Sequence, residues 1–376
     1  MKFFLNISLL LLTISLFVGC ADVSTHGVEN FKTVVYDPLY ASGFTIDEDE
    51  AGNSLVRVTR PWQGNALEEQ TLAIFATSEA AKGYSGQHIV GYAERVVCMS
   101  TSHIAMLDAI GRADAVVGVS GKQYITNEVV ASNPAVKDIG YDSNLNYEAL
   151  VLLKPDVVLM YGVSAANDAV TAKLRDLDIP YLYLGDYTEE SPLGKAEWVV
   201  AIAEIMGCRE RGEEAFHQIV HRYNEVRSSV VRQSDAPKVM FNLPYQDVWY
   251  MPSDDSYMVQ LIEDAGGTYI YKGRNISGGS KGISLEEAYM LVSEADVWLN
   301  VGQCSTMNEL RSSAPHFAHT DVVISGEVYN NNRRCTRAGG SDFWESAIVR
   351  PDVVLSDLAT IIAGGDAPTY YYQQLK

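Results

Sequence analysis

The chain opens on an almost unbroken apolar run, Phe3 to Val18, behind a single Lys2 and ahead of Gly19-Cys20. A positive start, an apolar stretch shorter than a membrane span and small residues at its end describe a secretory signal. No later segment holds the ~20 consecutive apolar residues that a spanning helix needs. Beyond the signal, Phe44-Thr45-Ile46 and Leu55-Val56-Arg57-Val58-Thr59 are alternating runs separated by the polar stretch 47–53, a hairpin pattern. Leu72 to Ala76 reads as a third strand. Residues 21–92 are therefore expected to form a small β extension packed on the remainder of the chain.

From Glu94 the pattern becomes strand, then helix, repeatedly. Arg95 to Met99 is a buried-strand run, and Ser102 is a candidate cap for a helix carrying Ile104, Leu107 and Ile110 on one face. Strands are expected at Ala115 to Val119, Val157 to Met160 and Tyr181 to Leu184, with helices at Tyr147 to Leu153 and Ala165 to Leu177. The rhythm stops between Leu193 and Val231, where two helical stripes (Trp198, Val199, Ile202, Ile205, Met206; then Phe216, Ile219, Tyr223, Val226, Val230) leave no room for a strand. After Pro237 it resumes, with strands at Val239 to Leu243, Tyr269 to Tyr271, Val297 to Val301 and Val322 to Ile324. Helices are expected at Tyr257 to Ala265, Leu285 to Val292, Thr306 to Ser313 and Val353 to Ile362.

This alternation predicts an α/β protein of two Rossmann-like lobes, each a mostly parallel sheet with flanking helices. A long helix bridges them, and the N-terminal β extension is added in front. The expected divisions are a signal over 1–20, the β extension over 21–92, an N-lobe over 93–190, a helical connector over 191–234 and a C-lobe over 235–376. An internal echo links the lobes. Asn146-Tyr147-Glu148-Ala149 precedes Pro155-Asp156-Val157-Val158-Leu159, and Ser284-Leu285-Glu286-Glu287-Ala288 precedes Ala295-Asp296-Val297-Trp298-Leu299. In each, a capping residue starts a short helix with a Glu in its first turn and an Asp-Val strand comes next. Capping alone explains why a Glu stands there; its recurrence in both halves asks for more.

Charge and cysteines narrow the partners. A formal net charge of -20 disfavours nucleic acid and anionic lipid, and serves solubility. The sequence Leu16-Phe17-Val18-Gly19-Cys20 resembles a bacterial lipobox, with Phe17 where Leu is usual, so Cys20 is the expected lipidation site and the membrane is met through that anchor only. Cys98, Cys208, Cys304 and Cys335 remain, with no C-x-x-C spacing. In an exported protein Cys304 and Cys335 are the one pair whose polar, loop-like surroundings suit a disulfide. G-x-S-x-G, H-E-x-x-H, a P-loop and the dinucleotide glycine fingerprint are all missing, so nothing proposes an enzyme or a resident cofactor.

These residues resemble the class III periplasmic-type binding proteins of ABC importers, the group that carries ferric siderophores, haem and vitamin B12. The resemblance runs from about Glu94 to Ile362. It rests on Arg95-Val96-Val97 with Ser100 and Ser102, Leu107-Asp108-Ala109-Ile110-Gly111, Val117-Gly118-Val119, Asn146-Tyr147-Glu148 and Leu153-Lys154-Pro155-Asp156-Val157-Val158. Ala265-Gly266-Gly267, Ile283-Ser284-Leu285-Glu286 and Ala295-Asp296-Val297 continue it. It implies a monomer with a metal-chelate ligand (a ferric siderophore, haem or a corrinoid) in the interlobe cleft. It also implies that Glu148 and Glu286 dock onto Arg residues of the permease transmembrane subunits. The alternatives are a cobalamin carrier of the same family and a surface lipoprotein serving an outer-membrane transporter. The extension and the segment Tyr329 to Phe343 depart from the family pattern.

Ligands of open α/β sheets sit at the carboxyl ends of strands. That rule selects His103, Tyr124, Tyr161 and Tyr187 in the N-lobe, and Tyr245, Trp249, Arg334, Arg337 and Trp344 in the C-lobe. Aromatic rings offer broad contact to a macrocycle or catecholate, and the Arg333-Arg334 and Arg337 cluster suits an anionic chelate. Any one Tyr among 22 is also ordinary filler, and the Arg cluster is equally a solvated loop. His217 and His221, four apart on the connector, read as a surface pair because no third ligand is near; no metal site is expected.

Overall fold

A computed structural model describes residues 27–63, 69–163, 165–232 and 234–376. The signal and Cys20 lie outside them.

The N-terminal sheet has five strands in sequence order: β1 (Thr33–Tyr36), β2 (Phe44–Glu48), β3 (Ser54–Val58), β4 (Gln70–Phe75) and β5 (His88–Val90). The first four are antiparallel, and β5 joins β4 in parallel. The alternation of Phe44, Ile46, Val56, Val58, Leu72 and Ile74 puts one apolar face onto the body of the protein.

The N-lobe continues the chain as β6 (Val96–Cys98), α1 (Thr101–Ala109), β7 (Val116–Val119), α2 (Glu128–Ser132), β8 (Lys137–Asp138), α3 (Tyr147–Leu153), β9 (Val157–Tyr161), α4 (Asp168–Asp176) and β10 (Tyr181–Leu184). Its sheet is wholly parallel, in the order β10-β9-β6-β7-β8. Strands covered on both faces need continuous apolar runs, which is why Val96-Val97-Cys98 and Val157 to Met160 are buried throughout. The cap of α1 is Ser100, whose hydroxyl accepts from the backbone N–H of Ser102, so the helix starts two residues earlier than the Ser102 cap expected from sequence.

The connector is two helices, α5 (Pro192–Ile205) and α6 (Arg209–Ser229). All of α5 except Lys195 is buried. A helix apolar on every side must be enclosed, and α5 is, by β2, α1, α6, α7 and α11. Gly212 of α6 allows the close crossing: a Cβ there would lie 2.4 Å from the Ala203 methyl. Arg211 of α6 donates to Ile110 O of the N-lobe (3.1 Å), while Arg222 pairs with Asp352 (3.3 Å) and Tyr223 donates to Asp264 (2.8 Å) in the C-lobe. One helix is therefore fastened to both lobes.

The C-lobe comprises β11 (Lys238–Phe241), β12 (Val248–Met251), α7 (Tyr257–Asp264), β13 (Thr268–Tyr269), β14 (Lys281–Ser284), α8 (Leu285–Ser293), β15 (Val297–Leu299), α9 (Met307–Ser313), α10 (Asp321–Ser325), β16 (Val328–Asn330), α11 (Pro351–Ile362) and β17 (Gln373–Gln374). Its main sheet runs β13-β11-β15-β16-β17, parallel except for the last pair. The β12-β14 pair forms a separate antiparallel ribbon that the sequence pattern did not reveal.

The internal echo is a topological repeat. The order β7-β6-β9-β10 in one lobe matches β13-β11-β15-β16 in the other. The same clip joins the central strands. Asp156, before β9, accepts from the backbone N–H of Arg95 before β6 (2.9 Å), and Asp296, before β15, accepts from that of Lys238 in β11 (2.7 Å).

Two further expectations fail. Val322 to Ile324 is helical, in α10, and the strand of that region is Val328–Asn330. Its β-branched run imitates a strand, but only Val322 and Val323 are buried, and Gly326 in the left-handed region closes the turn before the chain enters the sheet. Cys304 and Cys335 are free thiols: Cys304 is buried beside Ser313, and Cys335 is exposed beside the carbonyl of Asn332.

Candidate functional site

Because each main sheet is largely parallel, the loops after its parallel strands collect along one edge. In the N-lobe these are Met99 to His103 after β6, Lys122–Tyr124 after β7, Tyr161-Gly162 at the end of β9 and Asp186–Thr188 after β10. In the C-lobe they are Tyr245 after β11, Asn300 to Gln303 after β15, and the stretch from Asn331 to Trp344 after β16. Tyr124, Tyr161, Tyr187, Tyr245 and Trp344 present large exposed aromatic surface there.

Two candidate residues are corrected. Trp249 is fully buried, its ring 5.6 Å from Trp298 and 5.4 Å from Phe317, and its indole N–H donates to Phe241 O at 3.2 Å. It lies on the inward side of β12 and belongs to the C-lobe core. His103 is also fully buried; it does not face open solvent in the cleft. Its Nε2 lies 3.7 Å from Asp186 Oδ1, too long for a hydrogen bond. Burial works against ionisation of Asp186, yet the neighbouring His103 ring, with Lys195 and Ser102, holds its carboxyl below the ordinary range. Lys195 donates to Asp186 O at 2.7 Å and lies 4.9 Å from the ring of Tyr257 in the C-lobe, so this polar floor reaches across both lobes. Burial lowers the Lys195 ammonium, with Asp186 and Glu189 pulling it back up.

The segment from Arg333 to Val349 joins the lobes. Glu345 Oε2 accepts from Thr126 N (2.8 Å) and Oε1 from Asn127 N (2.6 Å), at the start of α2. Asp342 Oδ1 accepts from the Thr126 hydroxyl (3.2 Å), and the Thr101 hydroxyl donates to Trp344 O (3.3 Å). Gly340 is required: a Cβ there would lie 1.9 Å from Tyr124 O. Arg334 is partly engaged, pairing with Asp342 at 3.1 Å and stacking 4.4 Å over Tyr370. Arg333 and Arg337 are exposed. Behind this clasp, on the α6 side, a concavity of about 560 Å³ is lined by Arg222, Arg334, Asp342, Glu345, Arg350 and Asp352 among others.

The clasp titrates. Burial pushes the Glu345 carboxyl above its ordinary 4.5, while the Thr126 and Asn127 N–H bonds pull it down and Asp342 raises it. A carboxyl raised in the folded state is stabilising below its unfolded value and loses that contribution as pH rises through the folded value. The stability of the protein minus that of Glu345→Gln is therefore expected to fall as pH rises above the group's ordinary 4.5. Urea unfolding of both chains at each pH measures it, and a difference that rises would contradict the sign.

Sequence reasoning missed three neighbours of the site. Trp62, from the N-terminal extension, is buried with its ring 5.6 Å from Tyr183, and a Cβ on Gly162 would lie 3.3 Å from it. Gln63 N donates to Val163 O (3.1 Å). The extension thus reaches the carboxyl ends of β9 and β10. Asp142 is half-buried and raised by burial; with burial it keeps the phenols of Tyr147, Tyr161 and Tyr183 protonated. Exposed Tyr141 stands beside it. No period marks loop residues of this kind. A Trp just past a predicted strand was the one available signal.

His217 and His221 are exposed on α6, His221 3.3 Å from Glu225. Among the described residues no group of three His, Cys, Asp or Glu is placed to hold a metal ion. Glu148 and Glu286 are exposed in the first turns of α3 and α8, one on each lobe. No described helix is long and apolar enough to cross a membrane.

A family model described as "Periplasmic binding protein" matches residues 96–332, well over half of the chain. The chain belongs to that family. Among curated relatives, this periplasmic binding protein is 27% identical over 281 residues to an uncharacterised lipoprotein of Methanocaldococcus jannaschii, covering 71% of this chain and 64% of the relative. It is 24% identical to an uncharacterised ABC transporter substrate-binding lipoprotein of Bacillus subtilis, over 45% of this chain and 52% of that protein. The matched part spans from about half to just under two thirds of the curated relatives' length. Among solved structures, a haem-binding protein of Pseudomonas aeruginosa superimposes with a TM-score of 0.56 at 17% identity, over 76% of this chain and 98% of that one. A vitamin B12 binding protein of Vibrio cholerae gives 0.51 at 15% identity, over 72% and 97%. At such identities the likeness establishes the two-lobed α/β fold alone.

Proposed function

We propose that this protein is the lipid-anchored substrate-binding component of an ABC importer. It would capture an iron chelate, a siderophore or haem, between its lobes and deliver it to the permease. The observation that carries the reading is the alignment of exposed aromatic side chains (Tyr124, Tyr161, Tyr187, Tyr245 and Trp344) along the carboxyl-end edge of two homologous lobes. Rigid rings with polar tips fit a large flat or catecholate ligand at low entropic cost. Exposed Arg337, with the unengaged part of Arg334, supplies positive charge at the rim of an acidic protein. The names of relatives in the family, which include haem, siderophore and B12 binding proteins and several lipoproteins, support the same class of cargo and an anchor at Cys20. Glu148 and Glu286 would orient the loaded protein on Arg residues of the permease.

The test is a thermal-shift and tryptophan-quenching screen of the mature domain against haem, several ferric siderophores and cobalamin. One tight binder is expected, and silence across the panel would overturn the reading. Replacing Arg334 and Arg337 together with Ala is expected to weaken an anionic chelate on the order of 10- to 100-fold and to spare neutral cobalamin. Because Arg334 also holds Asp342, Arg337→Ala alone separates ligand charge from loop geometry. Equal losses for both ligands would remove the electrostatic part.

A further inference from the structure

The chain leaves β8, an edge strand, at the carboxyl end of the N-lobe sheet and turns back toward β9 through α3. The loop is closed by Asn146 N on Ile139 O and by Asn144 N on Tyr141 O, both at 2.8 Å. Its Asp and Asn side chains hold the local structure together, with one exception. Asp138 accepts from Gly121 N, Lys122 N and Gly140 N, Asn144 Oδ1 from Tyr141 N, and Asn146 Oδ1 from Ala149 N. Asp142 accepts from no donor among the described residues and has no Lys or Arg acting on it. It is half-buried all the same, and that burial raises its carboxyl. A carboxylate drawn partly out of water with neither donor nor cation is a cost that packing does not explain.

Tyrosines stand around the carboxylate instead. Tyr141 is its chain neighbour, and Tyr124 lies against the same glycine: a Cβ on Gly121 would stand 2.9 Å from Tyr124 Cδ2 and 2.9 Å from the Tyr141 hydroxyl. Toward β9, burial and then the charge of Asp142 raise the phenols of Tyr147 and Tyr161, so the acid is within electrostatic reach of both. Tyr161 is followed by Gly162, where Trp62 and Tyr183 occupy the space a side chain would need, 3.3 and 3.5 Å from a Cβ. Tyr124, Tyr141 and Tyr161 keep 38%, 43% and 40% of their surface exposed, so they are open to a ligand. Ring faces carry partial negative charge. Beside a carboxylate they favour a positive group and disfavour an anion.

An exposed acid on a chain of net charge -20 is ordinary and serves solubility. Asp142 differs in being half-buried without a partner, at the edge where ligands of parallel sheets sit. We infer that Asp142, with Tyr124, Tyr141, Tyr147 and Tyr161, is a subsite for an organic cation, an alkylated ammonium group carried by the captured molecule. The inference rests on the reading of the interlobe cleft as the capture site and deepens it. The N-lobe takes a cationic arm of the cargo, while Arg334 and Arg337 of the C-lobe take its anionic part. Tyrosine rings pack on the methyl or methylene groups next to the nitrogen, and the carboxylate neutralises the charge. The cleft is therefore bipolar, and a cargo of one sign throughout suits it less well.

Choline and its uncharged isostere 3,3-dimethylbutan-1-ol are titrated into the protein, and the tyrosine ring signals are followed by NMR. Choline is expected to bind more tightly than the alcohol by about tenfold or more. Asp142→Asn, which keeps the shape of the side chain, is expected to erase that preference with the melting temperature unchanged. Asp114→Asn removes one exposed charge at the amino end of β7, the far side of the sheet, and is expected to leave the preference intact. Tyr161→Leu leaves every charge in place and is expected to weaken choline by about threefold or more. Equal or undetectable binding of the two probes, or a preference that survives Asp142→Asn, would overturn the inference. If choline is preferred but no chelate of the screen binds, the subsite stands and the iron cargo falls. If a chelate binds while choline shows no preference, the capture reading stands and the cationic arm falls.

Discussion

Glu148→Lys combined with Glu286→Lys is expected to abolish ligand uptake in cells and ligand-stimulated ATPase activity of the reconstituted importer. Ligand affinity of the isolated protein should not change. Both acids are exposed in the first turns of short helices, apart from the aromatic and arginine residues proposed for the ligand. Reversal replaces two attractions by two repulsions at once, and like charges facing each other at a contact are strongly disfavoured. A loss of association on the order of 100-fold is the scale to expect. Each single reversal should leave one lobe docked and give an intermediate loss. Helix capping is the competing account of these residues. It predicts a different result: because a Lys in the first turn opposes the helix dipole, the variants would lose stability but keep uptake among the molecules that remain folded. Thermal denaturation of the same variants, measured beside uptake, separates the two.

The largest stability effect is expected at Glu197. This residue is fully buried within α5, and its carboxylate accepts four hydrogen bonds from the N-terminal extension. Oε1 takes the Tyr36 hydroxyl and Leu39 N at 2.8 Å each; Oε2 takes Tyr40 N and Ala41 N at 2.7 Å each. Glu189 repeats the device one step along, accepting from Ser42 N, Gly43 N and the Trp198 indole. Between them the two carboxylates satisfy most of the loop between β1 and β2, which has no sheet partner of its own. Glu197→Ala leaves three backbone donors and a phenol without acceptors, at about 1–3 kcal/mol for each that water does not reach. Part of this is returned because a buried carboxylate no longer has to be desolvated. A net loss of about 3–5 kcal/mol is expected, read by urea unfolding. Glu197→Gln keeps one good acceptor and should fall between. A loss below about 1 kcal/mol for Glu197→Ala would mean that the extension is held by its apolar face alone.

That apolar face explains why the extension was legible as strands but not as part of the site. Alternation in Phe44 to Ile46 and Leu55 to Val58 comes from one buried side, and a period of two survives any choice of what covers it. What lies underneath is α5, and the contact of Phe44 with Trp198, 4.8 Å between centroids, joins segments on opposite sides of the whole N-lobe sequence. Nor does any local signal say that Trp62 ends beside Tyr183.

By itself the sequence determined the alternation of strands and helices in both lobes, the all-helical stretch between them, most buried strands of the two parallel sheets and the internal echo that marks the lobes as repeats. Those features come from local period, capping and burial on two faces, which are properties of neighbouring residues. Only the tertiary structure decided that Val322 to Ile324 is helical, that Trp249 and His103 are enclosed, that Cys304 and Cys335 stay apart and that Glu345 clasps the start of α2. Each of these turns on which distant segment arrives at a side chain. A Trp or a His has the same local pattern whether a core or a ligand meets it, and a carboxylate becomes a clasp only when two backbone N–H groups from the other lobe are brought within reach.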